Sequence, residues 1–203
     1  MNETQHESKT RLLDAALSVV RAKGYTATRV EDICAAAGVT KGSFFHHFKS
    51  KEDLAVAAAA HWGAVTGSLF AGAAYHTPAD PLDRLLAYVD FRKELIRGAL
   101  AEFTCFAGTT VQEVFDTHPA IRDACGDTIS GHAATLEADF AGALQKYGVA
   151  GDAKSLALFT QAAIQGGFVL AKAKQDPALA IAALDHLRRY LELMFQPGKE
   201  TTT

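Results

Sequence analysis

Two short segments with helical apolar spacing meet at Ala36-Ala37-Gly38-Val39, and this turn limits the possible folds more than any other stretch of the chain. The first segment carries Val30, Ile33 and Cys34 inward. The second opens at Thr40 and runs to about His47, with Phe44 and the following Phe48 on the side shared with Val39. Two alanines let the segments cross closely, and Gly38 supplies unusual backbone angles that other residues adopt only at a cost. Two short helices joined by a glycine-containing turn of about four residues form a helix-turn-helix. A helical hairpin inside a bundle would satisfy the same turn, so the content of the second helix decides. Thr40, Lys41, Gly42, Ser43, His46 and His47 are polar or bare, and a core-forming helix of that length would not present them.

Charge points the same way. The chain has 20 Lys+Arg and 23 Asp+Glu, a net charge of −3 that argues against indiscriminate coating of nucleic acid. Gly38 to Lys51 nevertheless holds Lys41, Lys49 and Lys51, two histidines and no acid. A short basic patch in a mildly acidic chain suggests a localised DNA contact.

Around this segment every strong pattern is helical. Leu13, Ala16, Leu17 and Val20 give one buried stripe on a helix from about Ser8 to Lys23, and Gly24 follows as a left-handed cap. Thr28-Arg29-Val30-Glu31 has the form of a capping box, which places the start of the next helix at Thr28. After Leu54 the spacing predicts long amphipathic helices over 51–75, 82–100, 102–116, 119–147, 153–175 and 177–195. Asp176-Pro177 is a start signal for the last of these. The expected fold is all-α: a three-helix helix-turn-helix DNA-binding domain over residues 1–52, then a ligand-binding and dimerisation domain of about six helices over 53–197. Residues 198–203 are expected to be a disordered tail.

Several function classes find no support. The longest apolar run, Ala55 to Ala60, is far short of the roughly 20 residues of a membrane span, and the polar N-terminus MNETQHESKT lacks the core of a signal peptide. A cytoplasmic protein with no membrane partner is expected, and its three cysteines read as reduced thiols. Neither CxxC nor HxxxH occurs, so no metal and no cofactor is expected. His61, His118 and His132 lie on different predicted helices. No nucleophile elbow, phosphate loop or paired-carboxylate motif points to an enzyme.

With these residues laid out, Thr28 to Leu54 resembles the signature of the TetR family of transcriptional regulators, most closely over Gly38-Val39-Thr40-Lys41-Gly42-Ser43-Phe44-Phe45-His46-His47-Phe48-Lys49-Ser50-Lys51-Glu52-Asp53-Leu54. The resemblance implies a homodimer that binds a palindromic operator, represses, and is released by a small effector. Two alternatives remain open: a factor of this fold that recruits a protein partner, and a cysteine-based electrophile sensor. The second comes from Cys105 to Glu113 with Pro119 and Arg122, which resemble a TetR subgroup that includes acrylate- and electrophile-responsive members.

The candidate DNA contacts are Thr28, Arg29, Thr40, Lys41, Gly42, Ser43, Phe45, His46, His47 and Lys51. Thr28 and Arg29 sit at a helix start, which favours phosphate. Lys41 and Ser43 are the candidates for base edges, Gly42 permits close approach, and His47 and Lys51 are expected on phosphates. The family usually has Tyr where this chain has Phe45, so one phosphate contact is lost there, while the ring remains able to pack on a thymine methyl. Trp62, Leu69, Leu86, Val89, Phe103, Cys105, Phe106, Ile121, Cys125 and Ile129 are the candidates to line a pocket for a small, largely apolar effector. No Lys or Arg lies within seven residues of Cys105, which favours an inert apolar wall over a reactive thiol. Phe159, Ala163, Gly166, Gly167, Leu170, Leu184, Leu187 and Leu191 are the candidates for a four-helix dimer interface. The paired glycines each cost a helix roughly 1 kcal/mol relative to Ala, a cost that suggests close backbone approach there.

Overall fold

The computed structural model describes residues 3–196, with side chains from residue 6. The expected tail, 198–203, lies outside the described residues. Among them are eleven α-helices, one 3-10 turn and no strand. Packing groups the chain into two units, one of residues up to 71 with 98–129, the other of 72–97 with 130 onward. The functional division expected at residue 52 falls inside the first unit.

In the first unit α1 (Glu3–Lys23) buries Leu12, Leu13, Ala16, Leu17 and Val20, the stripe expected from the sequence with Leu12 added. It ends at Gly24, whose φ of +86° suits glycine and whose N–H donates to Val20 O at 2.8 Å. α2 (Val30–Ala37) and α3 (Lys41–His47) follow, then α4 (Lys51–Ala71). Short α6 (Leu100–Phe103) and α7 (Phe106–Val114) pack on α1, and α7 also packs on α4. Ala55, Ala58 and Ala59 are all but sealed from solvent, and so small a surface on α4 allows neighbours to approach closely. The first half of α8 (Pro119–Ala134) adds Ile121 and Cys125 to this core.

The second unit contains the 3-10 turn Ala74–His76, α5 (Pro81–Glu94), the end of α8, α9 (Glu137–Tyr147), α10 (Ala153–Lys174) and α11 (Ala178–Met194). Asp80 caps α5 by accepting from Leu82 N–H at 2.8 Å, and it also receives Lys146 Nζ and Tyr147 Oη at 2.5 and 2.7 Å. The Lys146 bond, followed by the Tyr147 bond, pulls its carboxyl down to about 2. Asp176 accepts from Ala178 N–H at 2.9 Å, so the Asp-Pro start of α11 works as the sequence indicates. Between α5, α8 and α10, Tyr88 Oη meets His132 Nε2 at 2.9 Å and accepts from Gln161 Nε2 at 3.1 Å. Burial pushes His132 down to about 4, so at neutral pH it is uncharged.

Several expectations need correction. The helix expected at Thr28 begins at Val30, with Arg29 as its cap residue. Thr28 lies within the core, and its hydroxyl donates to Gly24 O at 2.6 Å instead of capping. The segment expected to be one helix over 102–116 breaks at Thr104 and Cys105, both extended, and the Cys105 thiol accepts from Gly108 N–H at 3.3 Å. The segment 119–147 breaks at Thr135–Leu136, between α8 and α9. α4 and α10 are, by length and composition, apolar enough to cross a membrane, which the short run Ala55–Ala60 alone does not reveal. Part of this apolarity is the alanine-rich packing surface just described.

Candidate nucleic-acid interface

The helix-turn-helix is built from its turn outward. Gly38 ends α2 in the left-handed region at φ +62°, and the N–H groups of Gly38 and Val39 donate to Ala35 O and Cys34 O at 3.2 and 3.0 Å. Two residues on, Thr40 caps α3 by accepting from Ser43 N–H at 3.2 Å. Ile33, Ala37, Phe44 and Phe48 turn into the core, and the Phe44 and Phe48 rings lie 5.8 Å apart. With that face anchored, the opposite face of α3 must point to solvent. Thr40, Lys41, Gly42, Phe45 and His46 are exposed, Ser43 and His47 partly so, and Phe45 is 52% exposed.

The charged groups differ in availability. Lys41 Nζ holds Glu31 at 2.6 Å in a pair exposed on both sides, which raises its pKa. Exposed pairs of this kind contribute about 0–1 kcal/mol, so a competing phosphate or base edge can displace the acid. The Arg29 side chain makes no hydrogen bond or ion pair among the described residues. His47 Nε2 is 2.7 Å from Ser8 Oγ, and burial, then the neighbouring His46 and Lys9, lower its pKa, leaving a neutral ring that can donate or accept but carries no charge at neutral pH.

Lys51 is placed otherwise than expected. It is half-buried and donates to Tyr25 O and Thr28 O, both at 3.0 Å, with its charge 4.2 Å from the centre of the Tyr25 ring. Desolvation lowers its pKa. These bonds tie it to the α1–α2 connection, within which the buried Thr28 hydroxyl donates to Gly24 O. Lys9, an exposed lysine of α1 that the sequence analysis did not single out, has its Nζ 5.7 Å from the Phe48 ring just after α3. Its distance along the chain from α3 hid it.

The pocket candidates separate by unit. Phe106, Ile121 and Cys125 are fully buried in the first unit and Val89 in the second, all packed as core. Trp62, Phe103, Cys105 and Ile129 in the first unit and Leu86 in the second are half-buried, and Leu69 is 48% exposed. A void of about 10 Å³ lies among Ala16, Val20, Tyr25, Ile33, Leu54 and Phe106, space for one water at most and not for an organic effector. Arg21, 81 residues from Glu102, donates to Glu102 O at 2.8 Å and stacks over Trp62, close enough to interact electrostatically with the Cys105 thiol.

The interface candidates separate by helix face. Leu184, Leu187 and Leu191 are buried within their own unit and are unavailable to a partner. Gly167 faces α11 of the same chain: a Cβ there would stand 2.9 Å from Ala183 Cβ. Phe159, Gly166 and Leu170 are exposed and Ala163 partly so. Leu158, Val169, Tyr190 and Leu193, not foreseen, share their exposure at 42–57%. The Phe159 and Tyr190 rings pack at 5.1 Å and join the α10 and α11 parts of this surface.

Comparison with known proteins agrees with this geometry. A family model described as bacterial regulatory proteins, tetR family, matches residues 12–58, and one described as transcriptional regulator LmrA/YxaF-like, C-terminal domain, matches residues 81–186. The chain is similar to the HTH-type transcriptional regulator CymR of Pseudomonas putida, 44% identical over 55 residues, 27% of this chain and 27% of that protein. It is also similar to the transcriptional regulator AcuR of Cereibacter sphaeroides, 30% identical over 103 residues, 51% of this chain and 47% of that protein. Both matches thus span less than half the relative's length. A solved TetR transcriptional regulator from Chloroflexus aurantiacus has the same fold, with a TM-score of 0.80 at 25% identity over 94% of this chain and 97% of that one.

Proposed function

From the premise that this chain belongs to the TetR family of bacterial transcriptional regulators, with an LmrA/YxaF-like C-terminal domain, we propose that it is a ligand-responsive repressor that binds a palindromic operator as a homodimer. The observation that carries the reading is α3, anchored by Phe44 and Phe48 and presenting Lys41, Gly42, Ser43, Phe45 and His46 to solvent. A helix held this way can enter a major groove, with Lys41 and Ser43 reading base edges and Gly42 allowing close approach. Arg29 and His47 serve phosphates, which position without specifying sequence. Thr28 and Lys51 act through the backbone they hold.

Dimerisation is supported by the exposed apolar surface of Phe159, Leu170, Tyr190 and Leu193, larger than isolated surface residues need to be. Gly166 adds to it. In mid-helix it costs roughly 1 kcal/mol relative to Ala, yet a Cβ there would meet nothing within 4 Å in its own chain. A second α10 crossing at this point explains why no side chain is present. Release by a small, largely apolar effector rests on the family, and within the first unit Trp62, Phe103, Cys105 and Ile129 are half-buried candidates to meet it.

The test is the spacing of the DNA site. Footprinting against DNA selected from a random pool is expected to show a near-palindrome whose half-sites lie about 34–36 Å apart, or a multiple of it. Recovery of a single, non-repeated site bound by one chain contradicts the reading.

A further inference from the structure

The connection between α1 and α2 is held by a residue distant in sequence. After the left-handed Gly24, the N–H groups of Tyr25 and Thr26 converge on one carboxylate: Glu113, on the last turn of α7, accepts them at 2.5 and 3.0 Å. Successive N–H groups after a left-handed residue form a concave anion site, and here the anion belongs to the protein. Gly24 is required twice, for its backbone angle and because a Cβ there would lie 3.0 Å from both carboxylate oxygens. Lys51 takes the carbonyls of the same segment, and His118 sets its ring edge against Tyr25 at 5.2 Å. α2 begins two residues after Thr28, so the position of the connection fixes that of α2, and through the Gly38 turn that of α3.

We propose that Glu113 is the positioning residue through which α7 sets the recognition helix: while the carboxylate holds Tyr25 and Thr26 the helix-turn-helix is ordered for a specific site, and displacement of α7 that withdraws it lowers specific affinity. The inference rests on the reading of the chain as a DNA-binding regulator. Specific binding needs α3 at a fixed depth and angle, whereas non-specific binding needs only the positive charge near phosphate. Loss of the clamp therefore separates the two kinds of binding, and general unfolding does not.

The experiment compares full-length wild type, Glu113→Gln and Glu113→Ala on two duplexes, the tightest one selected from a random pool by wild type and an unrelated one of equal length at low salt. Bonds to charged acceptors are each worth a factor of about ten or more in an equilibrium. Glu113→Ala is expected to lose at least that factor on the selected duplex and little on the unrelated one, with faster amide exchange at Tyr25 and Thr26. Glu113→Gln, near in shape but with one acceptor oxygen, is expected to fall between, and it carries the test alone if the alanine variant does not fold. Unchanged specific binding by a folded variant, or equal loss on both duplexes, overturns the inference. Failure of wild type itself to prefer any duplex overturns the underlying reading instead.

Discussion

If the chain is the homodimer proposed above, Leu170→Glu, alone or with Phe159→Glu, is expected to yield a monomer that keeps its helical fold and loses most of its operator affinity. Both side chains are substantially exposed within the protomer, 54% and 45%, so Leu170→Glu should change protomer stability by no more than about 0.5 kcal/mol, and Phe159→Glu by about 0.5–1.5 kcal/mol more through loss of its ring pair with Tyr190. In a dimer the same positions are covered, and a carboxylate there is desolvated without a partner. Two recognition helices on one dimer bind two half-sites with a high effective concentration. A monomer forfeits that gain, about 10²- to 10⁴-fold. Light scattering and operator titration on the same samples check both halves of the prediction. A variant that remains a dimer at micromolar concentration places the interface elsewhere.

Gly167→Leu is expected to act on the protomer and not on the dimer. A Cβ at this position already stands 2.9 Å from Ala183 Cβ and 3.4 Å from Ala180 Cα, and leucine adds three more carbons to a seam without spare volume. Overpacking of this kind costs roughly 1–3 kcal/mol, and about 2–4 °C of melting temperature accompany each kcal/mol in a protein of this size. Gly166→Ala, one residue away, is the counterpart. Its Cβ enters open space within the chain and restores helix propensity worth roughly 1 kcal/mol, so the protomer gains stability while association weakens. Thermal unfolding of the two variants under monomeric conditions separates them. Equal melting temperatures for Gly167→Leu and wild type would show that α10 and α11 do not meet at this seam.

The adjacent glycines also show what the sequence could and could not disclose. Their cost in mid-helix announced a close approach. Which of them faces α11 and which faces outward depends on a rotation of about 100° per residue, and that is set by the whole apolar pattern of unit two. Leu184, Leu187 and Leu191 were misplaced for the same reason: a strong apolar stripe signals burial without saying whether the cover is the same chain or a copy. The helix-turn-helix was legible because its signals are local and agree. Gly38, the Thr40 cap and the Phe44/Phe48 face all act within a few residues of one another.

Breaks made without glycine or proline escaped notice. Thr104-Cys105 and Thr135-Leu136 carry no strong punctuation, and the helices end there because tertiary packing outweighs modest propensity. The roles of Lys51, Arg21 and Glu113 were hidden by distance along the chain. Lys51 meets carbonyls 26 and 23 residues away, and Glu113 meets amides 88 and 87 residues away. Thr28 is the converse case: a sound capping pattern was overridden by a hydroxyl that finds Gly24 O and becomes buried.

Whether α3 reads base edges is tested most directly by the affinity of Lys41→Ala and Arg29→Ala for the selected operator, its single-base variants and random DNA, across a range of salt. Lys41→Ala is expected to cost about 1–3 kcal/mol on the operator and to relax discrimination at one base position in each half-site. Arg29→Ala is expected to weaken all duplexes alike and to reduce the salt slope by about 1. If Lys41→Ala leaves both the affinity and the base preference of wild type unchanged, α3 is not the reading helix and the central claim is wrong.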